Sequence, residues 1–259
     1  MTNFANNYRK KLFGDEKTTI DQADSEFIEF WEDFALDDVI NQTNCGENAV
    51  DDKTRIIAIL ATLLGCGSTD LFKIMLKSAL NLNLSPIIIK EVVYQSVAYL
   101  GFARVYPFMI ATNEIFESND IKLPLKNQST TTRKTRLQKG IQAQVDIFGD
   151  GMKEFYKSGA EESKHINRWL AENCFGDYYT RNGLDYKMRE LVTFCCISAQ
   201  GGCEPQLTAH AMANMKVGNN KQFLINIVSS LIPYIGYPRS LNALRCLNEA
   251  EKNYEGSKN

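Results

Sequence analysis

The stretch MRELVTFCCISAQGGCEPQLTAHAMANMKVG, residues 188–218, decides the fold of this chain and the position of its candidate site. It predicts two helices that meet at Gly201-Gly202, since paired glycines interrupt a helical pattern. We expect the first helix to be buried, like the helix predicted at residues 54–64, which is apolar on nearly every face. The second contains His210, one of two histidines in the chain. We therefore look for the chemistry of the protein in this stretch.

The composition excludes several classes of protein. The chain has 29 basic and 31 acidic residues, a formal net charge of −2, so no positive excess is available for a nucleic-acid partner. No apolar run reaches the roughly 18 residues that a membrane span requires. Residues 1–16 lack the pattern of a secretory signal. We therefore expect a cytoplasmic protein whose seven cysteines are mostly free thiols.

Three short motifs recur at a nearly constant offset along the chain. LFGD at residues 12–15 returns as IFGD at 147–150, DDKTR at 51–55 as DYKMR at 185–189, and YLGFAR at 99–104 as YIGYPR at 234–239. The first and last pairs have the same offset, and the middle pair is shorter by a single position. Separated matches at one offset indicate an internal duplication. We therefore predict two tandem units, residues 1–117 and 137–259, joined by a linker at residues 118–136.

The hydrophobic spacing predicts helices throughout both units and no strand. Expected helices cover residues 25–37, 54–64, 68–81, 85–99, 103–116, 137–149, 163–173, 187–198, 204–218, 221–231 and a last one from Pro238. Ser85-Pro86 is typical of a helix start and Gly101 of a helix end. The linker is polar with a basic cluster, which is typical of a solvated connector. The predicted fold is all-α.

Three side chains of the opening stretch suit acid–base chemistry. Cys203 and His210 are seven residues apart, so they share one helix face. They are also about 10 Å apart along the axis, and direct contact is not expected. Cys203 at a helix start favours a thiolate, while His210 exchanges protons near neutral pH. Glu190 on the preceding helix can orient His210. The alternative is a buried histidine that bonds a carboxylate for structure alone.

The remaining reactive groups are expected to be structural. Cys195 and Cys196 point about 100° apart on a helix, so we expect both in the core. His165 lies among charged residues and is expected at the surface. A metal site needs three or four converging ligands. Two histidines without a Cys-x-x-Cys motif predict no metal, and we expect no cofactor.

The second unit resembles the carboxymuconolactone decarboxylase and alkylhydroperoxidase D superfamily. The resemblance rests on KMRELV at residues 187–192, GCEPQL at 202–207, His210, Gly218, GYPR at 236–239 and Asn242-Ala243. The first unit matches more loosely, through residues 53–55, Leu80, Gly101 and Arg104. The resemblance implies two tandem alkylhydroperoxidase D-like helical units in one chain. Because single units form trimers or hexamers, it also implies a homo-oligomer, a dimer or trimer of two-unit chains.

The resemblance also implies roles for particular residues. Glu190 and His210 match the proton relay of the family, and Cys203 matches the first cysteine of its Cys-x-x-Cys motif. Gln206 stands at the second cysteine, so the usual disulfide cannot form. The decarboxylase-like branch, which keeps the histidine without the cysteine pair, fits better. We therefore predict a lyase that acts on a small acidic or lactone substrate.

In this hypothesis the catalytic residues are His210, Glu190 and Cys203, and the substrate-binding residues are Arg189, Arg239 and Asn242. The first unit has Ile56, Ser68 and Met75 at the positions of Glu190, Cys203 and His210, which indicates a structural partner without a site. The first unit has one carboxylate that the second lacks, Glu91, whose counterpart in the second unit is Asn226. We expect Glu91 on a solvated helix face rather than in a composite pocket.

Two other functions stay open at this point. One is a thiol peroxidase or disulfide reductase with peroxiredoxin activity, centred on Cys203. It would need a distant resolving thiol such as Cys196 with its Cα within roughly 7 Å. The other is a non-catalytic binding or assembly module whose sites have decayed.

Overall fold

A computed structural model of the chain describes residues 1–15 and 17–256. Within these residues every regular element is a helix, so the all-α prediction is confirmed. The first half contains α1 (Asn3–Phe13), α2 (Thr19–Ala23), α3 (Ser25–Asp33), α4 (Val39–Thr43), α5 (Asp52–Cys66), α6 (Thr69–Asn81), α7 (Pro86–Leu100) and α8 (Phe102–Ser118). The second half contains α9 (Arg136–Phe148), α10 (Lys164–Trp169), α11 (Tyr186–Gln200), α12 (Glu204–Lys216) and α13 (Lys221–Gly256). No helix of the described chain combines the length and hydropathy of a membrane span.

Several helices depart from the predicted boundaries. Helix α1 was not predicted, although its buried residues Ala5, Tyr8 and Leu12 are spaced by three and four. A π-helical segment, Phe34–Asp38, joins α3 to α4, and another, Leu170–Tyr179, extends α10. The predicted break before Pro238 is present as a kink at Gly236 inside α13, where φ is 72°.

Helices α5 and α11 form the centre of the molecule, and most of their side chains are buried. A Cβ on Gly65 would lie 2.4 Å from the carbonyl oxygen of Cys196, so a glycine is needed where the two helices approach. Cys195 and Cys196 are buried here, as predicted. Burial raises the pKa of the Cys196 thiol to about 12 and also raises the pKa of Cys195. Both thiols are therefore protonated core side chains.

One arginine from each half bonds the carboxyl-terminal part of a central helix in the same way. Arg104 donates a 2.7 Å hydrogen bond to the carbonyl oxygen of Gly65. Arg239 donates to the carbonyl oxygen of Ala199. The two arginines occupy matching positions of the repeated YLGFAR and YIGYPR motifs, and their acceptors are separated by the same offset to within one position. This agreement supports a duplicated chain, while the division at residues 118–136 stays a prediction.

The segment between α8 and α9 is irregular, but it is packed rather than fully solvated. Thr130 Oγ1 donates to the carbonyl oxygen of Thr180 at 2.7 Å, and the Asn182 amide donates to that of Gln128 at 2.9 Å. Leu123 and Leu125 pack against the core. The expectation of a solvated connector is wrong for these apolar residues, which alternate along the segment and so point to one side, whereas Arg133 and Lys134 of the basic cluster are exposed as predicted.

Candidate active site

Glu190 and His210 form the pair at the heart of the candidate site. Glu190 projects from α11 and His210 from α12, and Nδ1 of the imidazole lies 2.7 Å from Oε2 of the carboxylate. Glu190 is 0% exposed and His210 is 9% exposed. Asn214 donates to the carbonyl oxygens of both residues, at 2.9 Å and 2.8 Å. One amide thus holds the two helices in the register that brings the pair together.

A tyrosine that the sequence did not single out holds the other carboxylate oxygen. Tyr179 donates its hydroxyl proton to Oε1 of Glu190 at 2.8 Å, and the hydroxyl of Tyr99 lies 2.7 Å from that of Tyr179. Burial raises the pKa of both phenols well above the ordinary value, so both keep their protons. Since Tyr179 uses its single proton on Glu190, it accepts the proton of Tyr99.

The direction of these hydrogen bonds selects one form of the histidine ring. A carboxylate only accepts hydrogen bonds, and Oε1 of Glu190 already receives the proton of Tyr179. Oε2 is left to accept from Nδ1 of His210. In the neutral ring Nδ1 therefore has the hydrogen, and Nε2 keeps a lone pair that can take a proton.

The ring of His210 is sandwiched edge-on between two aromatic side chains. Its centroid lies 5.1 Å from that of Tyr99 and 5.7 Å from that of Phe148. Lys216 holds the end of α9 by a 2.7 Å hydrogen bond to the carbonyl oxygen of Phe148. Within the described residues Nε2 has no hydrogen-bond partner, yet it is not among the fully enclosed unpaired atoms. Nε2 is therefore the ring nitrogen that can exchange a proton with the outside.

Cys203 lies in a different environment from the histidine. It occupies the N-cap of α12, where its Sγ accepts a 3.1 Å hydrogen bond from Nε2 of Gln200. It lines a small hollow with Leu207, Arg239 and Asn242, and neither Glu190 nor His210 lines that hollow. The structure thus joins two of the three predicted catalytic residues and separates the third, as the axial distance along the helix requires.

Two of the three predicted substrate-binding residues remain accessible. Arg239 is half-buried and Asn242 is exposed, and both border the hollow of Cys203. Arg239 already donates to the carbonyl oxygen of Ala199, which fixes one side of its guanidinium. These two residues can meet an anionic group only on the Cys203 side of the site.

Arg189 does not fit its predicted role. It is 0% exposed and donates to Oε1 of Gln95 at 3.0 Å, to Oε2 of Glu91 at 3.0 Å and to the carbonyl oxygen of Arg181 at 2.7 Å. Burial lowers the pKa of Arg189, and the bond to Glu91 opposes that effect. Its position on the inward face of α11 makes it a link between the two halves, and no substrate reaches it.

The expectation for Glu91 is also wrong. Its side chain is 1% exposed. Arg181 donates hydrogen bonds to both carboxylate oxygens at 2.8 to 3.0 Å, and Arg189 forms an ion pair with one of them. The carboxylate is buried because two arginines of the second half neutralise it. His165, by contrast, is exposed beside Trp169, as predicted.

The fold and this pair of residues define a helical protein with a buried histidine–carboxylate couple. The model of the carboxymuconolactone decarboxylase family matches residues 165–249, a segment that includes Glu190 and His210. The resemblance inferred from the second unit is thus confirmed for that segment.

The fold of the whole chain also has a counterpart among solved structures. The chain is similar to the crystal structure of a candidate gamma-carboxymuconolactone decarboxylase subunit from Burkholderia xenovorans, with a TM-score of 0.54 and 18% identity. The similarity covers 96% of each chain. At this identity it establishes a shared fold. No curated protein matches the chain.

Proposed function

We propose that the protein is a lyase that removes CO2 from a small carboxylated lactone by acid–base catalysis at His210. The observation that supports this most is the 2.7 Å contact between Nδ1 of His210 and Oε2 of Glu190, which leaves Nε2 free to move a proton. The family model that matches residues 165–249 and the similar Burkholderia decarboxylase subunit support the substrate class.

The proposed step needs one proton and no external oxidant or reductant. The bond between the ring carbon and the carboxylate carbon breaks, CO2 leaves, and the electron pair passes into the conjugated lactone carbonyl. Protonated His210 then gives its Nε2 proton to the ring system, and solvent restores it. Glu190 stabilises the imidazolium through Nδ1, and Tyr179 keeps Glu190 in place.

A carboxylate of the substrate is assigned to Arg239, with Asn242 beside it, so the substrate has to extend from this hollow to Nε2 of His210, which does not line the hollow. Both residues border the hollow next to α12, whereas Arg189 is fully buried and bonds Glu91. A guanidinium recognises a carboxylate through paired N–H groups, which a lysine cannot reproduce. Replacement of Arg239 by lysine should therefore raise KM more than it lowers kcat.

The decisive assay follows CO2 release from gamma-carboxymuconolactone with the wild-type protein and His210→Asn. We expect turnover by the wild type and a loss of about 10²- to 10⁴-fold in the variant, the usual contribution of a general acid or base. His165→Asn is the matched control, because His165 is exposed and remote in sequence from the pair. Equal rates for His210→Asn and wild type, or no turnover by the wild type, would contradict the proposal.

Self-association is proposed as well, as a dimer or trimer of chains. Phe102 and Tyr106 on α8 are exposed, and so are Tyr237 and Leu241, their counterparts in the repeat, on α13. Large exposed apolar side chains that recur on both halves favour contact with further copies. Light scattering should show an oligomer that Tyr237→Glu weakens and Lys122→Glu leaves intact; a wild-type monomer would contradict it.

A thiol peroxidase is the second candidate. Sγ of Cys203 lies at the start of α12 and accepts a hydrogen bond from Gln200, a position that suits a nucleophilic cysteine. Cys196 is a poor resolving thiol, because its Sγ contacts Ser96 and the carbonyl oxygen of Ala61 inside the core. Peroxide consumption with a dithiol reductant tests this function. Loss of activity in Cys203→Ser but not in the exposed Cys45→Ser would support it, and no consumption by the wild type would remove it.

A further inference from the structure

A second cavity lies away from the histidine, between α7, α8 and the segment that joins the two halves. It has a volume of about 590 Å³. Residues 123–128 of the joining segment form one wall, and Arg181 closes the side that faces the second half. Neither His210 nor Cys203 lines it. Its chemistry is therefore independent of the site described above.

Lys90 is the unusual residue of this cavity. It is 7% exposed, and its Nζ donates to Oδ1 of Asn113. The other neighbours of the ammonium group are the rings of Tyr94 and Phe116, with centroids 5.9 Å and 5.8 Å away. Within the described residues no carboxylate lies within ion-pair distance of Lys90. Burial without a counter-ion lowers the pKa of Lys90.

The nearest buried carboxylate is already occupied. Both oxygens of Glu91 accept hydrogen bonds from Arg181, and Arg189 takes a further position on Oε2. Glu91 is thus shared by Arg181 and Arg189 and does not serve as a counter-ion for Lys90. At the rim, exposed Glu117 and Lys126 offset each other. The buried side of the cavity keeps an uncompensated positive charge.

The rest of the lining is suited to the apolar part of a ligand. Tyr94 presents an aromatic face between Lys90 and Arg181, whose guanidinium carbon lies 5.1 Å from the ring centroid. Leu123 and Leu125 of the joining segment stand on the other side. A buried charge is costly unless it is paired, and an anion with an apolar body satisfies the charge and fills the space.

We propose that this cavity binds a small organic carboxylate whose anionic group pairs with Lys90 and whose apolar body lies against Tyr94 and Leu125. The joining segment is then part of a binding site as well as a connector. Ligand occupancy links α7, which holds Lys90 and Glu91, to α11 through the Glu91–Arg189 ion pair.

Calorimetry with benzoate and benzyl alcohol tests the proposal, because the two probes share a ring and differ in charge. Benzoate should bind the wild-type protein and benzyl alcohol should not. Lys90→Met should weaken benzoate by about tenfold or more, the effect of losing one charged hydrogen bond. Lys122→Met is the matched control, since Lys122 is exposed and does not line the cavity. It should bind benzoate like the wild type.

A second measurement needs no variant and protects the test against misfolding of Lys90→Met. In the wild-type protein, benzoate should slow the acylation of Lys90 by acetic anhydride, read by peptide mass spectrometry, and leave Lys122 unchanged. Equal binding of the neutral and anionic probes overturns the proposal. So does benzoate binding that survives Lys90→Met, an absence of benzoate binding, or acylation of Lys90 that benzoate does not affect.

Discussion

The centres of the two halves share a scaffold and differ in their polar residues. In the second half, α11 and α12 contribute Glu190 and His210, which bond each other. At the matching positions of the first half, Ile56 and Met75 are buried and apolar. The comparison teaches that the helix pair does not by itself require a polar couple at its centre. The couple in the second half therefore calls for a functional explanation.

The buried arginines extend the comparison. Arg55 of the first half donates to Ser230 of the second at 2.6 Å, and Arg189 of the second donates to Gln95 of the first at 3.0 Å. Arg55 and Arg189, which occupy matching positions, thus each bond a residue of the opposite half. Only Arg189 also meets a carboxylate, that of Glu91. The two halves therefore keep matching arginine contacts to each other and differ in the carboxylates that those arginines meet.

The largest effect is expected when the second half loses the charge of Glu190, a charge that the first half lacks at the matching position. Glu190→Gln removes the charge that stabilises the imidazolium and should lower kcat for decarboxylation by about 10²-fold or more. The double variant with His210→Asn should be no slower than His210→Asn alone, because the pair acts as a unit. Additive losses in the kinetic cycle would show that the two residues work separately.

The charge between the halves should control stability. Glu91→Gln leaves Arg181 and Arg189 facing each other without a carboxylate, and should cost about 3–5 kcal/mol of unfolding free energy. Asn226→Ala, at the matching position, loses the 2.8 Å hydrogen bond donated to the carbonyl oxygen of Asn48 and the 3.2 Å hydrogen bond accepted from Gln222, both uncharged, and should cost about 1–2 kcal/mol. Urea unfolding compares them, and equal losses would mean that the charge is not what matters.

A smaller effect should follow from removal of the hydroxyl that holds Glu190. Tyr179→Phe keeps the ring and loses the 2.8 Å hydrogen bond to Oε1. We expect about tenfold lower kcat with little change in KM, because the carboxylate loses its fixed orientation. Tyr178→Phe is the control, since Tyr178 is a neighbour outside the hydrogen-bonded group. A KM effect without a kcat effect would place Tyr179 in substrate binding instead.

The smallest expected effect concerns Lys90 and pH. Because burial lowers its pKa, the unfolded chain binds this proton more strongly, so the stability of the wild type relative to Lys90→Met should rise with pH below the roughly 10.4 of a free lysine. The charged and titratable groups that line the cavity with Lys90 are Glu91, Tyr94, Glu117, Lys126 and Arg181. Burial raises the pKa of Tyr94, which has the opposite effect on stability above about pH 10 but is common to the wild type and Lys90→Met. A difference in urea midpoint between the wild type and Lys90→Met that stays constant with pH across that range would contradict the expectation.

Local signals predicted much of the fold. Ser85 caps α7 as expected, accepting a hydrogen bond from the amide of Ile87, and Gly101 ends the helix with φ of 79°. The Glu190–His210 pair was also predicted, since the two glycines fold one helix back on the other. The π-helical segment Leu170–Tyr179 was not, because its register depends on packing against α9: a Cβ on Gly140 would lie 1.8 Å from the backbone there.

The parts of the site that the sequence did not predict depend on contacts between distant residues. Tyr99 and Tyr179 are 80 residues apart, and nothing local to either indicates that their hydroxyls meet. Glu91 is buried because its carboxylate bonds Arg181 and Arg189, which lie on the other half of the chain. Asn214 gave a usable signal, a polar residue one turn after His210 on a buried face.

Nitrogen NMR of the His210 ring tests the central claim most directly. The account predicts that the neutral ring has its hydrogen on Nδ1, where Glu190 accepts it, and an unprotonated Nε2 that shifts when substrate binds. Glu190→Leu should abolish this preference, while Ile56→Leu, the same substitution site in the first half, should preserve it. A neutral ring with its hydrogen on Nε2 in the wild-type protein would contradict the account.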